Sequence, residues 1–323
     1  MNDKSLKAGE PLVSVVMIAF NVRPYIDDAI QGVVNQKLDG AVELIVQDDC
    51  STDGTWERIL HWQSLYPRLV KPQRNRCNLG LQRNYMEAFS RCRGRYVAVC
   101  DSDDYWFHPR KLAIQTTYME AHPLCAITFH RVVNYYQASG EKSLSNGGTP
   151  THTTIENLSR SNYITNLSVM YRRELVDLQN LPEWIASDRS PDYALHMLYA
   201  SHGYLHYFSR PMGVYRKAQG SSWSMTDNFN RQKMAMEVRL RLMEQFALMP
   251  RVVEGLRAAL AAILRSMASE AANDSQRELV SSCARQLDID LSVPIMLKAP
   301  SAVMMLLKAT RRLVSKMVPL PRP

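Results

Sequence analysis

Short apolar runs of strand length alternate with amphipathic segments over the first 124 residues of the chain. The runs predict strands at residues 12–20, 42–47, 69–71 and 95–100. The segments between them predict helices at residues 24–36, 55–65 and 81–91, and another helix after Pro109. Continuous apolar runs are typical of strands that are buried on both faces of a parallel sheet. The alternation therefore predicts βα units around a mainly parallel central sheet.

The pattern changes after residue 124 and becomes helical towards the C-terminus. Strand-like runs occupy residues 125–133, 165–171, 204–208 and 212–216, with an exposed loop at 137–154 and a helix at 191–201. From about residue 228 the chain is rich in Ala, Leu, Met and Arg, and helix breaks are predicted near Pro250, Asn273 and Pro294. We therefore predict an α/β domain at residues 1–225 and a helical extension at residues 226–323.

Two of the predicted strands end abruptly at groups of carboxylates. Asp48 and Asp49 follow the run at 42–47, and residues 101–104, Asp-Ser-Asp-Asp, follow the run at 95–100. Ligands of open parallel sheets bind at the carboxyl ends of the strands, which share one edge of the sheet. The two carboxylate groups therefore indicate a site for a nucleotide and its metal ion.

Three segments taken together resemble the family 2 glycosyltransferases of the GT-A fold. They are residues 14–21, Ser-Val-Val-Met-Ile-Ala-Phe-Asn, residues 48–55, Asp-Asp-Cys-Ser-Thr-Asp-Gly-Thr, and the acidic segment 101–104. Their order and spacing are more specific than any one of them. The resemblance covers residues 12–225 and implies a GT-A type αβα sandwich with a Rossmann-like nucleotide-binding half. It also implies inverting transfer of a sugar from a nucleotide sugar, with a UDP-sugar preferred, to an acceptor hydroxyl.

The resemblance implies donor-binding roles for Asp49, Phe20 and Arg83. An aspartate at the position of Asp49 binds the base in the family, and a carboxylate suits the N–H of a uracil ring. Capping the next helix is the alternative for Asp49, although Asp53 or Ser51 also suits that role. Phe20 replaces the usual Tyr and retains only stacking, with a core position as its alternative. Arg83 is predicted to reach the diphosphate or base, with a solvated helix arginine as the alternative.

The Asp101-Ser-Asp103 segment matches the Asp-X-Asp motif of the family. Alternate residues of an extended segment point the same way, and paired carboxylates suit a hard divalent cation. We predict that Asp103 binds Mg²⁺ or Mn²⁺ and that Asp101 binds the ribose or the metal. Such an ion neutralises charge on the departing diphosphate. The alternative is an acidic cluster before the helix that Pro109 begins.

Residues 213–223 resemble the Tyr-Arg-X-His segment that covers the donor in the family. Arg216 is predicted to contact the diphosphate, and Trp223 to close over the donor or acceptor. Ala218 stands where the family often has a histidine, so a metal ligand common in relatives is missing here.

One carboxylate is needed as the general base that takes the proton from the acceptor hydroxyl. In the family this residue opens a helix beyond the sheet, and Asp192 matches that position, with Asp188 as a nearby rival. An acid at a helix start also has a structural alternative, because it complements the helix dipole.

The charge of the chain adds a second prediction. The net charge is +8, with a pI of about 9.2, which suits an anionic partner. Residues 293–323 contain six Lys and Arg residues and no acid, and a helix at 302–318 would place basic and apolar residues on different faces. Such a helix is typical of binding to an anionic membrane surface, whereas packing on its own domain or in a homo-oligomer is the alternative.

The remaining composition favours a cytoplasmic protein, peripheral at the inner face of the cell membrane. No apolar run is long enough to predict a transmembrane helix, and residues 1–10 are too polar for a signal peptide. The six cysteines and eight histidines have no metal-ligand spacing, so we expect free thiols in a reducing compartment.

We therefore predict a glycosyltransferase of surface polysaccharide biosynthesis, whose acceptor is a glycan or a lipid-linked glycan. A sugar-1-phosphate nucleotidylyltransferase is the nearest alternative, but residues 21–25 lack the glycine-rich loop it needs. The second alternative is a non-catalytic basic module that binds membranes or nucleic acid. It leaves the acidic strand ends unexplained, because carboxylates repel phosphate, and we predict no nucleic-acid partner.

Overall fold

The computed structural model describes residues 10–145, 147–187, 191–217 and 226–292. They divide into two compact units. The first unit lies within Met1–Thr154, Tyr163–Ser187 and Leu198–Ser221, and the second within Ile155–Asn162, Asp188–Met197 and Ser222–Pro323. The division differs from the two continuous ranges predicted from the sequence, because two short internal segments pack with the C-terminal helices.

A sheet of ten strands lies at the centre of the first unit, in the order β3-β2-β1-β4-β9-β6-β10-β5, with β7 beside β6 and β8 beside β10. Its strands are β1 (Val13–Ala19), β2 (Val42–Asp48), β3 (Val70–Arg74), β4 (Tyr96–Val99), β5 (Tyr105–Trp106), β6 (Cys125–Tyr136), β7 (Lys142–Leu144), β8 (His152–Thr153), β9 (Met170–Arg172) and β10 (Tyr204–Lys217).

Strands β3, β2, β1 and β4 are parallel neighbours, as the apolar runs predict. The register pairs Ala19 with Asp48, and Asp48 with Arg74. Val15 and Val16 of β1 have no exposed surface, which explains why the run is apolar without alternation. All four strands therefore end at one edge of the sheet.

The other half of the sheet is mixed and differs in detail from the sequence prediction. Strand β9 is antiparallel to both β4 and β6, and β10 is parallel to β6. Residues 204–208 and 212–216 belong to one strand, because a register shift between Phe208 and Gly213 absorbs the polar residues between them. The predicted strand at 165–171 is reduced to β9, since residues 166–168 form a 3₁₀ turn, and the predicted loop at 137–154 contains β7 and β8.

The helices of the described residues are α1 (Ile26–Val34), α2 (Thr55–Leu65), α3 (Leu81–Ser90), α4 (Lys111–Ala121), α5 (Ile155–Arg160), α6 (Glu183–Ser187), α7 (Pro191–Ala200), α8 (Asn228–Gln245), α9 (Pro250–Glu270) and α10 (Asp274–Gln286). The predicted breaks among the last three are confirmed, since Pro250 is the first residue of α9 and Asn273 caps α10 by accepting the Gln276 N–H. The α/β class with a mostly parallel sheet and C-terminal helices is likewise confirmed. None of the described helices is long and apolar enough to cross a membrane.

Helix α1 approaches strand β5 closely, and a glycine permits this contact. A Cβ atom at Gly32 would lie 2.8 Å from the backbone oxygen and 2.9 Å from the backbone nitrogen of Trp106. We expect Gly32→Ala to lower the free energy of unfolding by about 1–2 kcal/mol, because the overlap with backbone exceeds the gain in helix propensity. Urea denaturation measures this change. Gly147→Ala is the control, since its Cβ would meet only the Arg131 side chain at 3.6 Å, and an equal loss in both variants would contradict the prediction.

Candidate functional site

The carboxyl ends of β1, β2, β3 and β4 place four polar loops next to one another. The first residues after the strands are joined across the edge: the Asp49 N–H donates to the Ala19 carbonyl at 2.8 Å, and the Asn75 N–H donates to the Asp48 carbonyl at 2.8 Å. Phe20 follows β1 directly and is 47% exposed at this edge. The structure therefore brings Phe20 and Asp49 side by side, in a position that suits contact with a base, and Phe20 is not in the core.

The loops that follow β1 and β2 hold each other. The Asn21 N–H donates to Ser51 Oγ at 3.0 Å, and the Thr52 N–H donates to Asn21 Oδ1 at 2.9 Å. Asn21 and Cys50 have positive φ angles of 51° and 64°, which turn the chain sharply after each strand. Asp53 binds the first turn of α2 through the Thr55 N–H at 3.0 Å. The start of α2 is therefore bound by the Asp53 side chain and not by Asp49.

The Asp49 carboxylate is almost fully buried and binds the loop between β3 and α3. Its Oδ1 accepts from Asn75 Nδ2 at 2.7 Å and from the Leu79 N–H at 2.8 Å, and its Oδ2 accepts from the Gly80 N–H at 2.9 Å. A carboxylate has about four acceptor positions, so Oδ2 retains capacity for another donor. Asp49 therefore fixes the start of α3, and its base-binding role stays a prediction.

Helix α3 connects the two groups of carboxylates. Its N-terminal Gly80 is held by Asp49, and Tyr85 in the same helix donates its hydroxyl to Asp101 Oδ1 at 3.3 Å. Asn166 also donates to Asp101, with Nδ2 at 3.0 Å from Oδ1 and 2.9 Å from Oδ2, and it contacts the Tyr85 hydroxyl. Sequence analysis missed Tyr85 and Asn166 because no spacing pattern links them to Asp101.

The acidic segment after β4 contains two kinds of carboxylate. Asp101 and Asp103 are partly exposed, whereas Asp104 is fully buried. Burial raises the pKa of Asp103, and the positive charge of Arg216 acts in the opposite direction. Burial and the neighbouring charges of Asp103 and Asp101 hold the pKa of Asp104 well above its usual range. Asp104 Oδ1 accepts the Arg216 N–H at 2.7 Å, so the sequence pattern also missed a carboxylate that fastens this segment to β10.

The guanidinium of Arg216 lies against the same acidic segment. Its Nη1 donates to the Asp103 carbonyl at 3.1 Å, and its Nη2 donates to the Asp28 carboxylate of α1. It stacks on the rings of Tyr105 and Tyr25, with 4.5 Å and 5.3 Å to the ring centroids. The structure therefore brings Arg216 to the Asp103 backbone and pairs its guanidinium with Asp28, and the predicted contact of Arg216 with the diphosphate stays a prediction.

The residues at this edge fit a hard divalent cation. In the described part of the chain no group of three or more His, Cys, Asp or Glu side chains is arranged as a complete metal site. Asp101 and Asp103 nevertheless offer carboxylate oxygens in one short segment, and Asp104 Oδ2 is buried without a hydrogen-bond partner among the described residues. Mg²⁺ typically takes one or two carboxylates and completes its shell with substrate phosphate and water, which this oxygen-only set permits.

Arg83 and Asp192 are the other predicted site residues that the structure describes. Arg83 is exposed on the first turn of α3. Asp192 opens α7 within the second unit, and burial raises its pKa. Trp223, Ala218, Asp188 and the basic tail at 293–323 lie outside the described residues. The roles of all these residues stay predictions.

Several bacterial proteins are similar in sequence to this chain. An uncharacterized protein of Mycobacterium tuberculosis is 32% identical over 212 residues, and the match spans 65% of this chain and 60% of that protein's length. The putative teichuronic acid biosynthesis glycosyltransferase TuaG of Bacillus subtilis is 32% identical, over 54% of this chain and 67% of its own length. WfaP of Escherichia coli, a UDP-Glc:α-D-GlcNAc-diphosphoundecaprenol β-1,3-glucosyltransferase, is 32% identical over 39% of this chain and 46% of its own length.

Solved structures share the fold at low sequence identity. Residues 1–349 of Staphylococcus aureus TarS in complex with UDP-GlcNAc match with a TM-score of 0.56 and 16% identity, over 94% of this chain and 90% of that one. The mannosyltransferase PcManGT of Pyrobaculum calidifontis in complex with GDP-Man and Mn²⁺ matches with a TM-score of 0.54 and 17% identity, over 96% and 88%. The family model described as glycosyl transferase family 2 matches residues 14–178, about half of the chain. With its acidic strand ends on one edge of a GT-A sheet, this chain belongs to glycosyl transferase family 2.

Proposed function

We propose that the protein transfers a sugar from a nucleotide-sugar donor, preferably a UDP-sugar, to an acceptor hydroxyl with inversion. The observation that carries the proposal is the edge at which β1, β2 and β4 end, where α3 ties Asp49 to Asp101. Such an edge is the general location of nucleotide sites in open parallel sheets. The UDP-GlcNAc complex of TarS, which has the same fold, supports the choice of donor.

Each residue of the edge has a role in this proposal. Phe20 stacks on the base, and Asp49 accepts a hydrogen bond from a ring N–H through the free capacity of its Oδ2. Tyr85 and Asn166 hold the Asp101 carboxylate in place. A divalent cation held by Asp103 and Asp101 would neutralise charge on the diphosphate leaving group. The presence of Mn²⁺ in the PcManGT complex supports a metal of this type.

Asp192 is proposed as the base that accepts the proton of the attacking hydroxyl. Burial raises the pKa of its carboxyl, although the backbone N–H groups at the start of α7 act in the opposite direction. A raised pKa makes the carboxylate a stronger base. The names of TuaG and WfaP support a polysaccharide or lipid-linked glycan as the acceptor.

A donor screen tests this function. We expect one nucleotide sugar, with Mn²⁺ or Mg²⁺ present, to raise the melting temperature, since a ligand at 100 times its dissociation constant adds about 2.7 kcal/mol of stability. Nucleoside monophosphates, which carry no sugar that could be transferred, serve as controls. A protein that responds to no nucleotide but binds DNA in a salt-sensitive way would contradict the proposal and favour a basic binding module.

The basic tail at 293–323 is proposed to bring the enzyme to an anionic membrane surface, where a lipid-linked acceptor would lie. Each basic residue near such a surface contributes about 1 kcal/mol. Deleting the tail should abolish co-sedimentation with anionic liposomes and leave transfer to a soluble acceptor unchanged. The full-length protein should also lose binding at high salt, because the Debye length falls from about 10 Å at 0.1 M to about 3 Å at 1 M. Equal liposome binding with and without the tail would reject the membrane role, and a changed oligomeric state would assign it to a subunit interface.

A further inference from the structure

Arg216 is a buried cation next to the acidic segment, and its ion pair is made with a carboxylate outside that segment. Its side chain is 8% exposed, and its guanidinium lies over the ring of Tyr105 at 4.5 Å and over the ring of Tyr25 at 5.3 Å. In the acidic segment, the Asp103 carbonyl accepts a hydrogen bond from the guanidinium, and the Asp104 carboxylate accepts one from the backbone N–H of Arg216. Its side-chain ion pair is made instead with Asp28, in the first turn of α1.

The ion pair between Arg216 and Asp28 is asymmetric. The Asp28 side chain is 59% exposed, whereas the arginine is almost buried. The anion therefore lies at the surface and the cation lies inside, next to the carboxylates proposed to hold the metal. An incoming diphosphate would meet Asp28 before it met Arg216, and it would compete with a carboxylate that already occupies the guanidinium.

We propose that Asp28 is a positioning residue that neutralises Arg216 in the donor-free protein and thereby makes binding of a nucleoside diphosphate depend on a divalent cation. The inference rests on the proposed function. While Asp28 occupies Arg216, the diphosphate needs another source of positive charge, and the metal ion supplies it. When the carboxylate of Asp28 is removed, the buried guanidinium keeps its place through the two rings and the Asp103 carbonyl, and its charge is left for the ligand.

The test is the affinity of UDP for Asp28→Asn with Mn²⁺ and without it, measured by calorimetry in a buffer that contains EDTA for the metal-free arm. We expect metal-free UDP to bind about fivefold more tightly than to the wild type, the factor that corresponds to an ion pair with one exposed partner. The stimulation of UDP binding by Mn²⁺ should fall by a similar factor. Metal-free binding by the variant should also weaken more steeply with salt, because a free cation then contacts the ligand.

Asp27→Asn is the matched control. Asp27 is the preceding residue of the same helical turn, and its carboxylate binds Arg58 at 3.0 Å and Trp62 at 2.8 Å instead of Arg216. The change in net charge equals that of Asp28→Asn, but Arg216 keeps its ion pair with Asp28, so metal-free UDP affinity should remain at the wild-type value. Asp28→Glu keeps the charge and should restore the wild-type ratio of affinities with and without metal.

The outcomes separate this inference from the function on which it rests. A tighter metal-free complex for Asp28→Asn alone supports the inference. Unchanged or weaker metal-free binding by Asp28→Asn overturns it, as does an equal gain in Asp27→Asn, which would be a general effect of net charge. In those cases we expect the wild type still to bind UDP with Mn²⁺, so the proposed function stands while this inference fails. A wild type that binds no nucleotide in either arm overturns the proposed function and this inference with it.

Discussion

Replacing Asp103 by asparagine is expected to lower metal-dependent donor affinity and turnover together, with turnover falling about 10²-fold or more. The amide keeps the size of the side chain but removes the charge that holds a hard cation. A metal bound between carboxylates and diphosphate acts on both the bound donor and the transition state, so one substitution reduces both quantities. Calorimetry with a UDP-sugar over a series of Mn²⁺ concentrations, together with initial rates, measures the effect.

Two features of the structure make this variant a clean test. Burial raises the pKa of Asp103, so the charged form is already disfavoured and a neutral amide should not lower the stability of the metal-free protein. Ser102→Ala is the control within the same motif, because it removes no carboxylate. We expect it to keep the metal dependence of the wild type. Metal-dependent donor binding that is the same in Asp103→Asn and the wild type would rule out Asp103 as a ligand.

Replacing Asp192 by asparagine should reduce turnover by about 10²-fold or more, as expected when a general base is lost. Donor affinity should stay near that of the wild type, because the residue is assigned to the acceptor step. Binding isotherms for the donor and single-turnover rates distinguish the two effects. The rival Asp188→Asn is the companion variant, and if it is the inactive one, the wrong carboxylate has been chosen.

The pH dependence supplies a second check on Asp192. Its pKa lies above the ordinary value because burial disfavours the charged form. The base must be ionised to act, so activity should fall as the pH drops through this raised pKa. Asp192→Asn should lose that acidic limb of the rate profile. It should also be at least as stable as the wild type at neutral pH, since a carboxyl with a raised pKa in the folded state opposes folding when it is ionised.

Local sequence patterns predict most of the strands and helices in the first 124 residues. The strand β1 is predicted from a nearly continuous apolar run, and the structure gives the reason, since every position from Val13 to Met17 is buried. The polar member of the run, Ser14, donates its hydroxyl to Glu43. The breaks at Pro250 and Asn273 follow from equally local causes, namely a fixed φ angle and a side chain that caps a helix. These signals lie within a few residues of the structure they specify.

The candidate site was predictable only in part. Asp49 and Asp101 stand out because carboxylates end buried strands, and parallel strands bring their ends to one edge. Their partners give no such signal: Asp49 binds Gly80, which is 31 residues away, and Asp101 binds Asn166, which is 65 residues away. An asparagine in an irregular segment has no periodicity that would point to a carboxylate on another strand.

Three features follow from the sequence alone, because each depends on burial and turn chemistry between near neighbours: the parallel half of the sheet, its acidic edge and the helices α8 to α10. Three other features became known from the packed unit: β10 is one continuous strand beside β6, Asp104 fastens the acidic segment to Arg216, and Arg216 pairs with Asp28, 188 residues away. These contacts depend on how strands are ordered in the sheet. That order arises from the packing of the whole unit, which no single segment of the chain encodes.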